Sequence, residues 1–139
     1  MSEVLDRLRD AAPDAFAGEP VAFAYLFGSH ATGTATTRSD VDVAVHLEPD
    51  AEVDPLDLRL RLASALEAAA GVGPVEVVVL DDAPLALAGR VVEQGRPFHS
   101  ADDVLRVRHA SVTLRRFHDF KIHEERSAKE RLARLAEGR

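Results

Sequence analysis

The sequence predicts an α/β (α+β) fold: a small mixed β-sheet flanked by helices and followed by a long C-terminal helix. Three observations predict it. Helical and strand periodicities alternate in the order helix, strand, loop, strand, helix, strand, helix, helix. Glycine or proline marks most of the boundaries between these segments, at Gly18-x-Pro20, Gly28, Asp54-Pro55, Gly71-x-Gly73 and Gly95. The 139 residues contain no internal repeat and no linker, which is the length of one domain able to bury a core without staples.

Each element has a local reason. Glu3 to Phe16 places Val4, Leu5, Leu8, Ala11 and Ala12 at helical spacing, and Gly18 and Pro20 end the segment. Val21 to Phe27 is a short apolar run rich in strand formers. Gly28 to Ser39 is dense in Gly, Ser, Thr and Ala and reads as a loop with one helical turn, its threonines 32, 34, 36 and 37 serving as filler. Val41 to Leu47 alternates as a strand, and Asp54-Pro55 starts a helix that stops at Gly71 and Gly73. Val75 to Leu80 is a third strand, Pro84 to Gln94 a helix, and Arg96-Pro97-Phe98 a short edge strand. Ser100 with Asp103 resembles a capping box, and an amphipathic helix runs on from there with no breaker before Gly138. Residues 1–100 are therefore expected to form the core, and 101–139 a helical extension of the same domain.

Composition narrows the function. There is no cysteine, hence no disulfide framework and no thiolate metal site. No apolar stretch approaches the roughly 20 residues that span a bilayer, and the first residues lack the apolar run of a signal peptide, so a cytoplasmic protein with no membrane role is expected. The net charge is -7, unlike that of a general nucleic-acid binder, and no direct nucleic-acid contact is expected. Lys and Arg number 7 against 17 acids over residues 1–100, but 10 against 7 over residues 101–139. The body is acidic and the tail mildly basic.

Chemistry concentrates between Leu26 and Leu47, in LFGSHATGTATTRSDVDVAVHL. Gly28-Ser29 follows a strand; Asp40 and Asp42 come shortly after. Strand side chains alternate, so Asp40 and Asp42 face one way while Val41, Val43 and Val45 face the core. Two carboxylates on one face repel unless divalent cations sit with them, and hard oxygen ligands suit Mg²⁺. Gly28 lets backbone approach a phosphate, Ser29 offers a hydroxyl and the start of a short helix, and Ser39 closes the loop as a further candidate nucleotide contact. Glu76, the one charge in an otherwise apolar strand, is the candidate third acid, either as metal ligand or as general base.

Gly28-Ser29 with Asp40-x-Asp42 resembles the signature of the DNA polymerase β-like nucleotidyltransferase superfamily, and the short chain is similar to its minimal nucleotidyltransferase branch. The resemblance runs from about Val21 to Phe98 and departs at His30, where an arginine is common, and at Glu76, where an aspartate is. It implies ATP as substrate and two Mg²⁺ ions held by Asp40, Asp42 and Glu76. It also implies an antitoxin role beside a HEPN-domain ribonuclease toxin, by transfer of AMP to a toxin tyrosine within a hetero-oligomer. Two other outcomes are compatible with the same residues: an antitoxin that acts by occlusion, and a transferase for small molecules. The roughly 40 residues after the core are few for a second substrate domain, which disfavours the latter.

Overall fold

A computed structural model describes residues 3–36 and 38–137. Helix α1 (Glu3–Ala15) leads into β1 (Val21–Phe27), a single-turn helix α2 (Ser29–Thr32), β2 (Val41–Leu47), α3 (Pro55–Ala70), β3 (Val75–Val79), α4 (Leu85–Gln94), β4 (Arg96–Ser100) and the long α5 (Asp103–Ala136). The sheet order is β3-β2-β1-β4. β1 pairs antiparallel with both β2 and β4, whereas β2 and β3 run parallel and are joined by the α3 crossover. The sheet is mixed, as the sequence predicts.

One sheet face packs on α1 and α3. Val41, Val43, Val45 and Val77 meet Leu8 and Ala12 of α1 and Leu58, Leu62 and Leu66 of α3, all buried. The α3 residues recur every four positions, which makes a single stripe. Asp54 caps α3 by accepting the Leu56 N–H at 3.0 Å, and Pro55 occupies its first position. The opposite face carries Phe23, Tyr25 and Ala44, covered by Ala88 and Val91 of α4 and by Leu105 of α5. Tyr25 is core, as its apolar strand predicts.

Helices α4 and α5 touch through a close contact. A Cβ on Gly89 would lie 2.7 Å from the Phe117 Cβ and overlap its ring, so only glycine lets the helices approach this far. One turn further on, Glu93 pairs with His118 at 3.8 Å and Lys121 at 3.7 Å. Contacts therefore advance in the same direction along both helices.

Three local expectations are corrected. The third strand stops at Val79, because Leu80 turns into a 3-10 turn through Asp82. Residue Asp102, not Ser100, caps α5: its side chain accepts the Leu105 N–H at 3.0 Å, while Ser100 spends its hydroxyl on Asp103 at 2.6 Å. Thr32, Thr34 and Thr36 do more than fill the 28–39 loop. Thr32 Oγ1 lies 3.4 Å from the Gly28 carbonyl and 3.1 Å from Thr34 Oγ1, and Thr36 bonds Ser39, so side chains knit the loop to itself. Thr37 and Gly138 lie outside the described residues.

Candidate functional site

Two neighbouring strands, β2 and β3, bring the predicted acids to one place. Asp42 stands opposite Glu76 in the parallel β2–β3 ladder and opposite Phe27 in the antiparallel β1–β2 ladder. Paired residues project to the same side, so Phe27, Asp42 and Glu76 form a row across the sheet, on the face away from Val41 and Val43. Asp40 sits exposed just ahead of β2. Burial, then the charge of Glu76, then that of Asp40 hold the Asp42 carboxyl above the usual carboxylate range, with His30 opposing. Glu76 and Asp40 are thus electrostatic neighbours of Asp42.

Glu76 is exposed, with β3 at the sheet edge. The burial cost that singles it out in the sequence is therefore not paid; its register opposite Asp42 is what gathers it into the site.

Gly28 ends β1 with φ +72°, a conformation that side chains rarely adopt. A Cβ there would overlap the Asp42 carboxylate, its carbon lying 3.1 Å from Asp42 Cγ. The residue after the strand must therefore be glycine for Asp42 to sit where it does. Ser29 opens α2, whose first turn folds back through Ala31 N–H and Thr32 N–H onto the Gly28 carbonyl, at 3.1 and 3.2 Å.

Ser39 serves the loop. Its hydroxyl accepts the Thr36 N–H at 2.9 Å, its N–H donates to the Thr36 carbonyl at 3.1 Å, and its carbonyl lies 3.3 Å from His30 Nε2. His30 and Ser39 together tie the start of α2 to the residue before Asp40, which fixes the loop that joins the two halves of the site.

The donor set and the cradle fit a divalent cation. Carboxylate oxygens are the hard ligands that Mg²⁺ prefers, and the crowding that raises Asp42 is relieved by positive charge. Among the described residues no three His, Cys, Asp or Glu side chains close around a single point.

Two cavities flank the loop. One, of about 240 Å³, is lined by Phe27, Gly28, Leu87, Arg90 and Gln94. The other, of about 620 Å³, runs along α2 and α1 and includes Arg9, His30 and Arg96. Arg90 is a site-edge residue that the sequence reading does not single out. Its helical position is legible, but where α4 docks is not. Among the described residues no helix is long and apolar enough to cross a membrane.

Comparison with known proteins gives a family and a fold. The polymerase beta, nucleotidyltransferase family matches residues 14–104. No curated protein matches the chain in sequence. Among solved structures, a chain of a toxin–antitoxin complex with AMP-PNP is similar over 88% of this chain and 96% of its own, with 23% identity and a TM-score of 0.68. A chain of the complex between tri-AMPylated Shewanella oneidensis HEPN toxin and MNT antitoxin is similar over 91% of this chain and 97% of its own, at 20% identity and a TM-score of 0.65. A chain of the MntA-HepT toxin–antitoxin structure has 21% identity, covering 88% of this chain and 95% of its own, with a TM-score of 0.63.

Proposed function

Because the chain belongs to the polymerase β nucleotidyltransferase family, we propose that it transfers AMP from ATP to a tyrosine hydroxyl of a cognate HEPN-domain toxin and thereby acts as its antitoxin. The observation that carries the reading is the acid row, with Glu76 opposite Asp42 and Gly28 pressed against the Asp42 carboxylate. The likeness to toxin–antitoxin chains, one with a nucleotide analogue and one with an AMPylated toxin, supports the partner and the nucleotide.

Asp40, Asp42 and Glu76 would hold two Mg²⁺ ions. When bound, these ions neutralise the triphosphate and polarise the α-phosphate. Gly28 gives the Asp42 carboxylate its room beside the strand end, and Ser29 offers its hydroxyl to a phosphate oxygen. Glu76, at the open sheet edge, takes the proton of the incoming hydroxyl. The exposed position of Glu76 leaves space for an acceptor delivered by another protein, which must bring its oxygen within about 3–3.5 Å of phosphorus. A cytoplasmic hetero-oligomer with the toxin follows from this reading, with no direct contact to nucleic acid. Residues 101–139 form the helical extension that meets the partner, and residues 1–100 the catalytic core.

A second reading, neutralisation by occlusion with little catalysis, is favoured by one observation. Helix α5 exposes Val104 (69%) and Val107 (57%) near its start and Leu132 (66%) and Leu135 (68%) near its end, apolar side chains available to a partner at both ends. Calorimetry of ATP binding tests the enzyme reading at its base. Affinity should rise strongly with Mg²⁺ and lose that dependence in Asp40→Asn/Asp42→Asn. Equal ATP affinity with and without Mg²⁺ would remove the metal assignment.

A further inference from the structure

The row of Phe27, Asp42 and Glu76 has a direction. Neighbouring strands lie about 4.8 Å apart, so the row runs about 10 Å from the open β3 edge to β1. Displacement at phosphorus is in line, with the attacking and leaving oxygens on opposite sides. If the hydroxyl enters at Glu76, the leaving group departs toward β1.

On that side, α4 places Leu87, Arg90 and Gln94 at positions i, i+3 and i+7, one helix face, around the cavity of about 240 Å³ that Phe27 and Gly28 floor. Arg90 is the one charged residue of the five. Its Nε donates to the Ala86 carbonyl of its own helix at 3.3 Å, and among the described residues it pairs with no carboxylate. The other basic side chains of the neighbourhood are placed elsewhere. The His30 ring is engaged with the Ser39 carbonyl, and Arg9 and Arg96 line the separate cavity along α1 and α2. Arg90 is thus the basic side chain that lines the cavity beside Gly28.

We propose that Arg90 binds the terminal phosphates of the nucleotide and holds the pyrophosphate as it leaves; this rests on the transfer reading above. In the step, the acceptor oxygen bonds to the α-phosphorus and the bond from that phosphorus to the α–β bridging oxygen breaks. The electron pair of the broken bond leaves with pyrophosphate, and the hydroxyl proton passes to the Glu76 carboxylate. A guanidinium offers two parallel N–H donors to two phosphate oxygens. Negative charge on the leaving phosphate grows as the bond breaks, so the contact strengthens toward the transition state. Gln94 adds a neutral amide donor on the same face.

The test uses the full chain with Mg²⁺, in wild-type form and as Arg90→Ala and Arg90→Lys. Calorimetry measures affinity for ATP, for AMP and for pyrophosphate, and thermal melts check the fold. Arg90 is exposed and bonds only within its own helix, so melting should not change. Arg90→Ala should weaken ATP and pyrophosphate binding about tenfold or more and AMP binding by less than about twofold, with Arg90→Lys between. Folded variants that bind ATP and pyrophosphate like wild type, or that lose ATP and AMP affinity alike, would overturn the proposal. The two readings fail separately. A wild-type chain that transfers no AMP, yet shows the Arg90 dependence for pyrophosphate, removes the transfer and keeps Arg90 as a phosphate contact. A wild-type chain that transfers AMP, beside an Arg90→Ala variant indistinguishable from it, removes Arg90 alone.

Discussion

Gly28 and Asp42 interlock: the glycine has φ +72°, and the space its missing Cβ would fill is taken by the Asp42 carboxylate. A strand end and a paired-strand acid are thus one unit. Gly28→Ala should displace Asp42 and strain the backbone at once. The expected outcome is near-complete loss of transfer and of Mg²⁺-dependent ATP binding, with a stability loss of about 1–3 kcal/mol in denaturant melts. Full activity in a folded Gly28→Ala variant would contradict the geometry.

Asp42 carries charge against its surroundings, since burial, Glu76 and Asp40 all disfavour its ionised form. Asp40→Asn with Asp42→Asn should therefore abolish transfer and leave the fold intact or slightly more stable. Chemical denaturation without metal measures this; a marked destabilisation would mean that the acids hold the fold together.

Glu76→Gln separates binding from chemistry. Glu76 lies exposed on the edge strand and is assigned a proton taken in the transition state as well as a share in holding metal, so kcat should fall by about a hundredfold or more while ATP affinity falls less. Steady-state rates beside calorimetry give the answer. Equal losses in both would leave Glu76 a metal-holding residue only and remove its role as base.

Much of this site is legible in the sequence, because glycine geometry and strand alternation are local rules. The spacing of Gly28-Ser29 from Asp40 and Asp42, and the opposed facing of Val41 and Val43, follow from them and recur in the structure. The reason for Glu76 does not survive: a lone acid among valines reads as buried, yet β3 is an edge strand and the residue is exposed. Strand order is a long-range property that no local pattern in β3 encodes. The same holds for Arg90, whose importance depends on where α4 docks, and for Asp102, where two adjacent aspartates compete to cap one helix and only backbone geometry chooses.

Two half-buried histidines contribute to the acid side of the stability profile. His109 packs against Phe23 and His46, and burial, then the His46 charge, lower its pKa from 6.5, with Asp81 opposing; burial also lowers His99. A folded-state pKa below the unfolded one means that the unfolded chain binds more protons between the two values. The stability these rings contribute is therefore present above pH 6.5 and lost as pH falls through the lowered folded values. His109 Nδ1 has no partner, so His109→Leu strands no hydrogen-bonding group on that side. Melts over this range should show a shallower acid slope for His109→Leu than for wild type; an identical slope would contradict the assignment.

Gly89→Ala tests the seat of α5. The new Cβ would overlap the Phe117 ring, and overpacking of this kind costs about 1–3 kcal/mol. Equilibrium unfolding measures it, and an unchanged midpoint would mean that α5 shifts freely on α4. If α5 meets the partner, the same variant should also weaken the complex.

The central claim is transfer of AMP to a partner hydroxyl, and intact mass spectrometry of the HEPN protein co-expressed with this chain tests it most directly. The account predicts a gain of one AMP mass per transfer, mapped to tyrosine and absent with Asp40→Asn. A wild-type pair that forms a tight complex and neutralises the toxin without any mass gain, with Asp40→Asn neutralising equally well, would contradict it and leave occlusion as the mechanism.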